Sequence, residues 1–146
     1  MRTLVFWSLI AFITGLSVPA IVLAAHSPTG KFVYQPLPKP GEKISLDAST
    51  YFTYGFTKRP KLGLPIMKVE IFNRDGKRDT SYIVSGDADM PSMRGAHSTG
   101  FKVFSISATG LYLLPVSITM PGDWEIKFTF VKKGKAVFRG AYLFSI

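Results

Sequence analysis

Short stretches in which apolar and polar residues alternate fill most of the chain after residue 43. In the clearest of them, 124–130, Trp, Ile, Phe and Phe occupy the even positions, and Glu, Lys and Thr the odd ones. Alternation with a period of two places successive side chains on opposite faces of a strand. No stretch shows a sustained helical period with caps, so the pattern predicts an all-β chain.

These stretches recur at regular spacing and are separated by turn residues. They cover approximately residues 43–48, 52–56, 67–71, 80–84, 101–106, 112–120, 124–130 and 138–146. Seven to eight short strands of this kind predict an antiparallel β-sandwich of immunoglobulin-like type. The 12 Phe and 6 Tyr make its expected core strongly aromatic. We expect Trp124 at its centre, with Met67 and Met120 also facing inward.

The N-terminal part of the chain has a different composition. Residues 1–25 carry Arg2, then an apolar run, and end in small residues, which is typical of a cleavable signal peptide. An uncleaved membrane anchor is the alternative, because the run approaches the roughly 20 residues that a span requires. Residues 26–41 contain six Pro or Gly and predict an extended lead-in with one edge strand over 31–34, so the sandwich is assigned to 42–146.

Export and charge restrict the expected surroundings. The chain has no cysteine and a formal net charge of +9. An exported domain without disulfides suits the periplasm or the cell exterior. Three basic clusters stand in predicted turns, namely Lys58/Arg59/Lys61, Arg74/Lys77/Arg78 and Lys132/Lys133/Lys135. Behind a signal peptide they favour an anionic membrane surface or an acidic, membrane-associated protein complex as partner rather than nucleic acid. The alternative is that these charges serve only solubility.

One segment gathers soft metal ligands. Met90, Met93 and His97 lie within eight positions, next to Pro91 and Gly95. Thioether and imidazole donors suit Cu(I), whereas zinc prefers nitrogen, oxygen or thiolate ligands. We expect an exposed loop over 87–98 in which the three side chains converge, so that replacing all three should cost little stability. The alternative is that the methionines only fill space in the core.

Two aspartates flank this segment, and no enzyme motif accompanies it. Asp87 and Asp89 are candidates for orienting His97 or for a harder ion. Nucleophile elbows, phosphate-binding loops and zinc-protease motifs are absent from the sequence, so we expect no enzyme activity.

From about Met67 onward the chain resembles the YtkA-like / FixH-like family of bacterial exported β-sandwich domains. The likeness rests on 73–77, on 90–97, on 110–112 and above all on Met120-Pro121-Gly122-Asp123-Trp124. The resemblance implies an immunoglobulin-like module in an exported or membrane-tethered protein. It also implies an association with metal or cytochrome oxidase assembly, and it carries over no catalytic residue. The N-terminal third departs from this pattern.

Processing would create a second candidate copper ligand. Cleavage after Ala25 makes His26 the first residue, and a terminal amine with its own imidazole chelates Cu(II). The arrangement resembles that of CopC-like copper proteins and lytic polysaccharide monooxygenases, with His97 as the further histidine. The sequence therefore predicts a non-catalytic carrier or assembly accessory that binds copper. The alternative is a periplasmic interaction module, docking on a membrane complex through strand 51–56 or an exposed sheet edge.

Overall fold

The computed structural model describes residues 33–146. The predicted signal segment, the first part of the lead-in and His26 lie outside the described residues. The strands are β1 Gln35–Pro36, β2 Ile44–Ser45, β3 Thr50–Phe56, β4 Ile66–Asn73, β5 Ile83–Asp89, β6 Lys102–Val103, β7 Ser105–Ile106, β8 Tyr112–Pro115, β9 Asp123–Lys132 and β10 Lys135–Ser145. A single turn of 3-10 helix, Pro91–Met93, follows β5.

The strands form two five-stranded sheets, ordered β1-β10-β9-β5-β6 and β2-β3-β4-β8-β7. All neighbouring strands are antiparallel except β1 and β10, which run parallel. With β3, β4, β5, β7, β8, β9 and β10 taken as strands A to G, one sheet has the order A-B-E-D and the other G-F-C, as in immunoglobulin domains. The predicted immunoglobulin-like β-sandwich is confirmed.

Alternating side chains from both sheets fill the space between them. In β9 every second residue from Trp124 to Phe130 is fully buried, and Trp124, Phe128 and Phe130 are among the largest core side chains. The indole N–H of Trp124 donates to the Met120 carbonyl at 3.1 Å, which satisfies its only polar group. Met67 is fully buried, and Met120 is half-buried against the core, as predicted.

The segment 101–106 passes from one sheet to the other. β6 is the edge of the first sheet and β7 is the edge of the second, and buried Phe104 lies between them. A Cβ at Gly86 would lie 2.9 Å from Cε2 of Phe104 and 3.1 Å from Cδ2 of Leu114. Glycine at this position therefore allows the ring to pack directly on β5.

Several predicted boundaries were wrong. The described residues contain ten strands rather than seven or eight, because β1 adds a strand in the lead-in and the predicted strand 101–106 divides into β6 and β7. The lead-in is part of the sandwich, since β1 pairs with β10 and Leu37 N–H donates to the Ala141 carbonyl at 2.9 Å. In the aromatic strand β3, Phe52 and Tyr54 are buried, and β2 pairs only with Tyr51 and Phe52. Docking through 51–56 stays a prediction.

Candidate functional site at one end of the sandwich

Strand directions bring several connections to the same end of the sandwich. β5, β8 and β10 end there, and β4 and β9 begin there, because Ile66 is opposite Pro115 and Asp89 opposite Glu125. The Met/His segment 90–100 and the β3–β4 loop, 57–65, therefore cap one end, which we call the loop end. The turns around residues 74–76 and 132–135 lie at the opposite end.

Met90 is a core residue. β5 continues to Asp89, so the inward positions Val84, Gly86 and Ala88 are followed in phase by Met90, which is only 4% exposed. A Cβ on Gly122 would lie 2.9 Å from the Met90 methyl carbon, so the thioether end packs against the turn that precedes β9. The expectation that Met90 belongs to an exposed loop is wrong, because its side chain completes a buried strand face.

Met93 and His97 occupy two other environments. Met93 ends the 3-10 turn and is 44% exposed. His97 is half-buried, and its ring lies edge-on to the indole of Trp124 with centroids 6.3 Å apart. Neither imidazole nitrogen makes a hydrogen bond within residues 33–146. The structure thus brings Met90 and His97 to the start of β9 and leaves Met93 on the surface.

The segment is held in place by two buried carboxylates. Asp89 and Glu125 are cross-strand neighbours, an arrangement that is unfavourable for like charges. Asp89 accepts hydrogen bonds from the Met90 N–H at 2.8 Å and the Gly95 N–H at 2.9 Å. Glu125 accepts one from the Arg94 guanidinium at 2.7 Å. Residues 90–95 therefore satisfy both carboxylates and fold back over the outer face of the sheet.

The titration of Glu125 follows from these contacts. Burial favours its neutral form, but hydrogen bonds and positive charge from Arg94 and Lys127 outweigh burial. The pKa of the Glu125 carboxyl is therefore held below its usual range. The same hydrogen bond raises the pKa of the Arg94 guanidinium. Both groups are charged at neutral pH, so the contact acts as an ion pair.

Asp87 has a structural partner too. Its carboxylate accepts hydrogen bonds from the Ser98 hydroxyl at 3.0 and 3.1 Å, and the Thr99 N–H donates to the Ala88 carbonyl at 3.1 Å. These bonds fasten the end of the segment along β5. The expectation that 87–98 is one loop is wrong, because Asp87 and Asp89 are residues of β5 and point to its outer face.

The chemistry available at this end is limited. In the part of the chain that the structure describes, no three His, Asp or Glu side chains gather into a metal-binding group. Methionine sulfur is the remaining donor type, and Met90 keeps its sulfur in the packed interior. Copper binding by Met93, His97 and the undescribed His26 stays a prediction.

The fold leaves two apolar surfaces exposed, where the sequence analysis predicted only a strand and a basic turn. One is the edge segment 101–106, where Val103 is 66% exposed beside Phe101 and Ile106, which are also exposed. The other is the 57–65 loop, in which two leucines are exposed next to three cations. The sequence signal for the first was a predicted strand with no polar face. The signal for the second was an apolar pair inside a basic turn.

Fold and site together define an immunoglobulin-like β-sandwich with a packed Met/His segment at one end. Comparison of the sequence with known protein families and with curated proteins finds no match. The resemblance to the YtkA-like / FixH-like family therefore stays a prediction. Residues 33–146 contain no helix of the length and apolarity needed to cross a membrane.

Proposed function

We propose that this chain is an exported, non-catalytic docking domain that binds an extended segment of a membrane-associated protein along the edge 101–106. The observation that carries the proposal is an apolar, open sheet edge. Phe101, Val103 and Ile106 are exposed there, and Lys102 is the only charged residue of the segment. Proteins usually protect such edges with charges, proline or coverage, so an open apolar edge favours strand addition by a partner.

Backbone geometry supports the same surface. The Phe104 N–H donates to the Val84 carbonyl at 2.9 Å, which makes that pair hydrogen-bonded. Hydrogen-bonded and non-hydrogen-bonded pairs alternate in antiparallel sheets, so Val103 directs its N–H and C=O away from β5. The Ser107 N–H donates to the Leu111 carbonyl at 2.8 Å, and by the same alternation Ile106 also faces outward. A partner strand would find donors and acceptors at both residues.

The other two sheet edges are less suitable. β1 is the far edge of the first sheet and contains Pro36, which has no N–H to donate. β2 is the far edge of the second sheet and stands among the charged residues Glu42, Lys43 and Asp47. Within the described residues, the edge 101–106 thus combines open backbone groups with apolar side chains.

Site-specific photocrosslinking tests the proposal. A photoreactive amino acid at Ile106 should give a covalent adduct with a membrane-associated protein in cells that export the chain. The same amino acid at Val137, an exposed position of β10, is the control and should give none. Val103→Pro should abolish the Ile106 adduct, because proline removes an outward N–H without interrupting the bonds to β5.

Three outcomes would count against this function. Equal adducts at Ile106 and Val137 would indicate random collision. An Ile106 adduct that consists of two copies of this chain would make the edge a dimer interface. Retention of the adduct in Val103→Pro would show that backbone pairing is not involved.

Copper binding remains a second candidate. It is supported by the free imidazole nitrogens of His97 and by the exposed thioether of Met93, four positions earlier in the sequence. With Met90 in the core, two side chains of the segment remain as Cu(I) ligands, which suits exchangeable rather than permanent binding. Competition for Cu(I) between the protein and a chelator tests this. Met93→Leu with His97→Ala should lose the competition, and Met90→Leu should compete as the wild type does. Identical competition curves for the wild type and both variants would rule out copper binding at this segment.

A further inference from the structure

The 57–65 loop joins β3 to β4 at the loop end of the sandwich. Its sequence, Thr-Lys-Arg-Pro-Lys-Leu-Gly-Leu-Pro, has three cations and no acid. Leu62 is 49% exposed and Leu64 is 68% exposed, and Ile66 at the start of β4 is exposed as well. Together with the cations they line a groove of about 280 Å³. Large apolar side chains held in water beside unpaired positive charge require an explanation.

The backbone of this loop is fixed. Gly63 and Ile118 exchange two hydrogen bonds of 2.9 Å, and the Val116 N–H donates to the Pro65 carbonyl at 2.9 Å. Gly63 has φ of +112°, a conformation that L-residues avoid. A loop pinned in this way cannot fold its leucines inward, so their exposure is built into the fold.

The cations of this loop have no internal partner. Among the described residues, Lys58, Arg59 and Lys61 take part in no hydrogen bond or ion pair. The other two basic clusters differ, because Arg78 pairs with Glu70 at 2.7 Å and Lys132 contacts Asp79 at 3.4 Å. Only the cluster at 58–61 keeps all of its charge available for an external anion.

We propose that the 57–65 loop docks the domain on an anionic lipid bilayer. Leu62 and Leu64 enter the interface between headgroups and acyl chains, and the three cations contact the lipid phosphates. This is the combination by which surface-bound segments associate with membranes, namely a small apolar insertion reinforced by attraction to anionic lipid. It is independent of the edge 101–106 and would hold whether or not a protein partner binds there.

A bilayer fits this surface better than an acidic protein does. A stable protein interface buries about 800 Å² on each partner and disfavours lysine in its core. Here the apolar part consists of two leucines and one isoleucine on and beside a single loop, and lysines flank it directly. Lysine can extend its apolar stem along the interface while its ammonium group stays at the headgroups. A few inserted side chains are enough for a membrane and too few for a protein.

The experiment uses a reporter within the loop. Because the chain has no cysteine, Leu64→Cys can be labelled uniquely with an apolar, environment-sensitive fluorophore in the full-length protein. We expect its emission to shift to the blue on vesicles containing phosphatidylglycerol, and not on pure phosphatidylcholine vesicles. The same label at Val137→Cys, toward the opposite end of β10, should not respond to either. A local reporter is needed because the apolar N-terminal segment could itself hold the chain on vesicles.

Charge variants test the electrostatic part. The Lys58/Arg59/Lys61→Gln variant should lower the apparent affinity for anionic vesicles about a hundredfold, from about fivefold per cation at a membrane surface. The matched control is Arg74/Lys77/Lys135→Gln, which removes one arginine and two lysines at the opposite end. It should lower the affinity several-fold at most, since distant charges are screened beyond roughly 10 Å in 0.1 M salt.

Leucine variants test the apolar part. Leu62→Ala in the labelled protein should lower the affinity about tenfold if the side chain leaves water on binding. An equal response to neutral and anionic vesicles would overturn the proposal, and so would equal losses in the two charge variants. A response that needs vesicles containing membrane proteins would show that the occupant of the loop is a protein.

Discussion

Replacing Met90 by alanine should destabilise the domain strongly, although the residue stands in a segment rich in turn residues and candidate metal ligands. Its side chain is 4% exposed and belongs to the core cluster that includes Trp124. Its methyl group packs against Gly122, in the turn before β9. Truncation would leave a cavity against the Gly122 turn, which two hydrogen bonds of 3.1 and 3.0 Å between Gly122 and Ile146 hold in place, so the turn has little freedom to close it.

The expected magnitude follows from this packing. Buried Met→Ala substitutions cost about 2–5 kcal/mol, depending on how far the site collapses. We expect about 3 kcal/mol here, which corresponds to a midpoint roughly 10 °C lower for a domain of this size. Met93→Ala is the matched control in the same turn, and its exposed side chain should cost within about 0.5 kcal/mol. Met90→Leu keeps most of the volume and should cost less than about 1.5 kcal/mol.

Urea and thermal unfolding of the wild type and the three variants would measure these differences. We expect Met90→Ala to be far less stable than Met90→Leu, and Met93→Ala to be nearly as stable as the wild type. Equal unfolding midpoints for Met90→Ala and Met93→Ala would refute the core assignment and restore Met90 as a free ligand. A change in the slope of the unfolding free energy against urea concentration would indicate that the native or denatured state had changed in compactness.

Three further predictions concern other parts of the fold. Gly86→Ala should cost about 1–3 kcal/mol in unfolding experiments, because the new methyl group would lie 2.9 Å from the buried Phe104 ring. Glu125 has a folded-state pKa below its usual value of 4.5, so its stabilising contribution is present above that pH and is lost as the pH falls through the folded pKa. The stability difference between wild type and Glu125→Gln should therefore shrink below about pH 4.5 in unfolding curves measured from pH 7 to 3. Gly140→Ala would place a Cβ 2.9 Å from Cγ of Leu37 and should displace β1, which faster amide hydrogen exchange at Leu37 would reveal.

The strands were largely predictable because their signal is local. Period-two alternation identified the strands of 50–56, 66–73 and 123–132 within a few residues. The short edge strands were predicted only in part. β2 lies within the predicted strand 43–48, and β6 and β7 lie within 101–106, but the change of sheet at Phe104 has no local pattern of its own. The pairing of β1 with β10 joins residues about a hundred positions apart, beyond the reach of any local signal.

The candidate metal site shows how local composition and strand phase compete. Sulfur and imidazole donors concentrated in 90–97 suggested a ligand loop, whereas the inward face of β5 continued through Gly86 and Ala88 to Met90. Glycine and alanine contribute little hydrophobicity to an alternating pattern. The inward-facing positions of β5 beyond Val84 were therefore not recognised from the sequence. Met93, three positions further and past Pro91, has lost that phase and lies at the surface.

The three basic clusters raise a different difficulty, because they look alike in the sequence and differ only in their partners. Glu70, the partner of Arg78, is eight residues away, and Asp79, the partner of Lys132, is 53 residues away. Each pairing depends on which strands become neighbours, so the charge left for an external ligand is a property of the fold. At 57–65 the fold supplies no carboxylate, while two backbone bonds between Gly63 and Ile118 keep the adjoining leucines outside. Exposed leucine and unneutralised lysine are each common on protein surfaces, and it is their fixed proximity in one pinned loop that favours a bilayer as the partner.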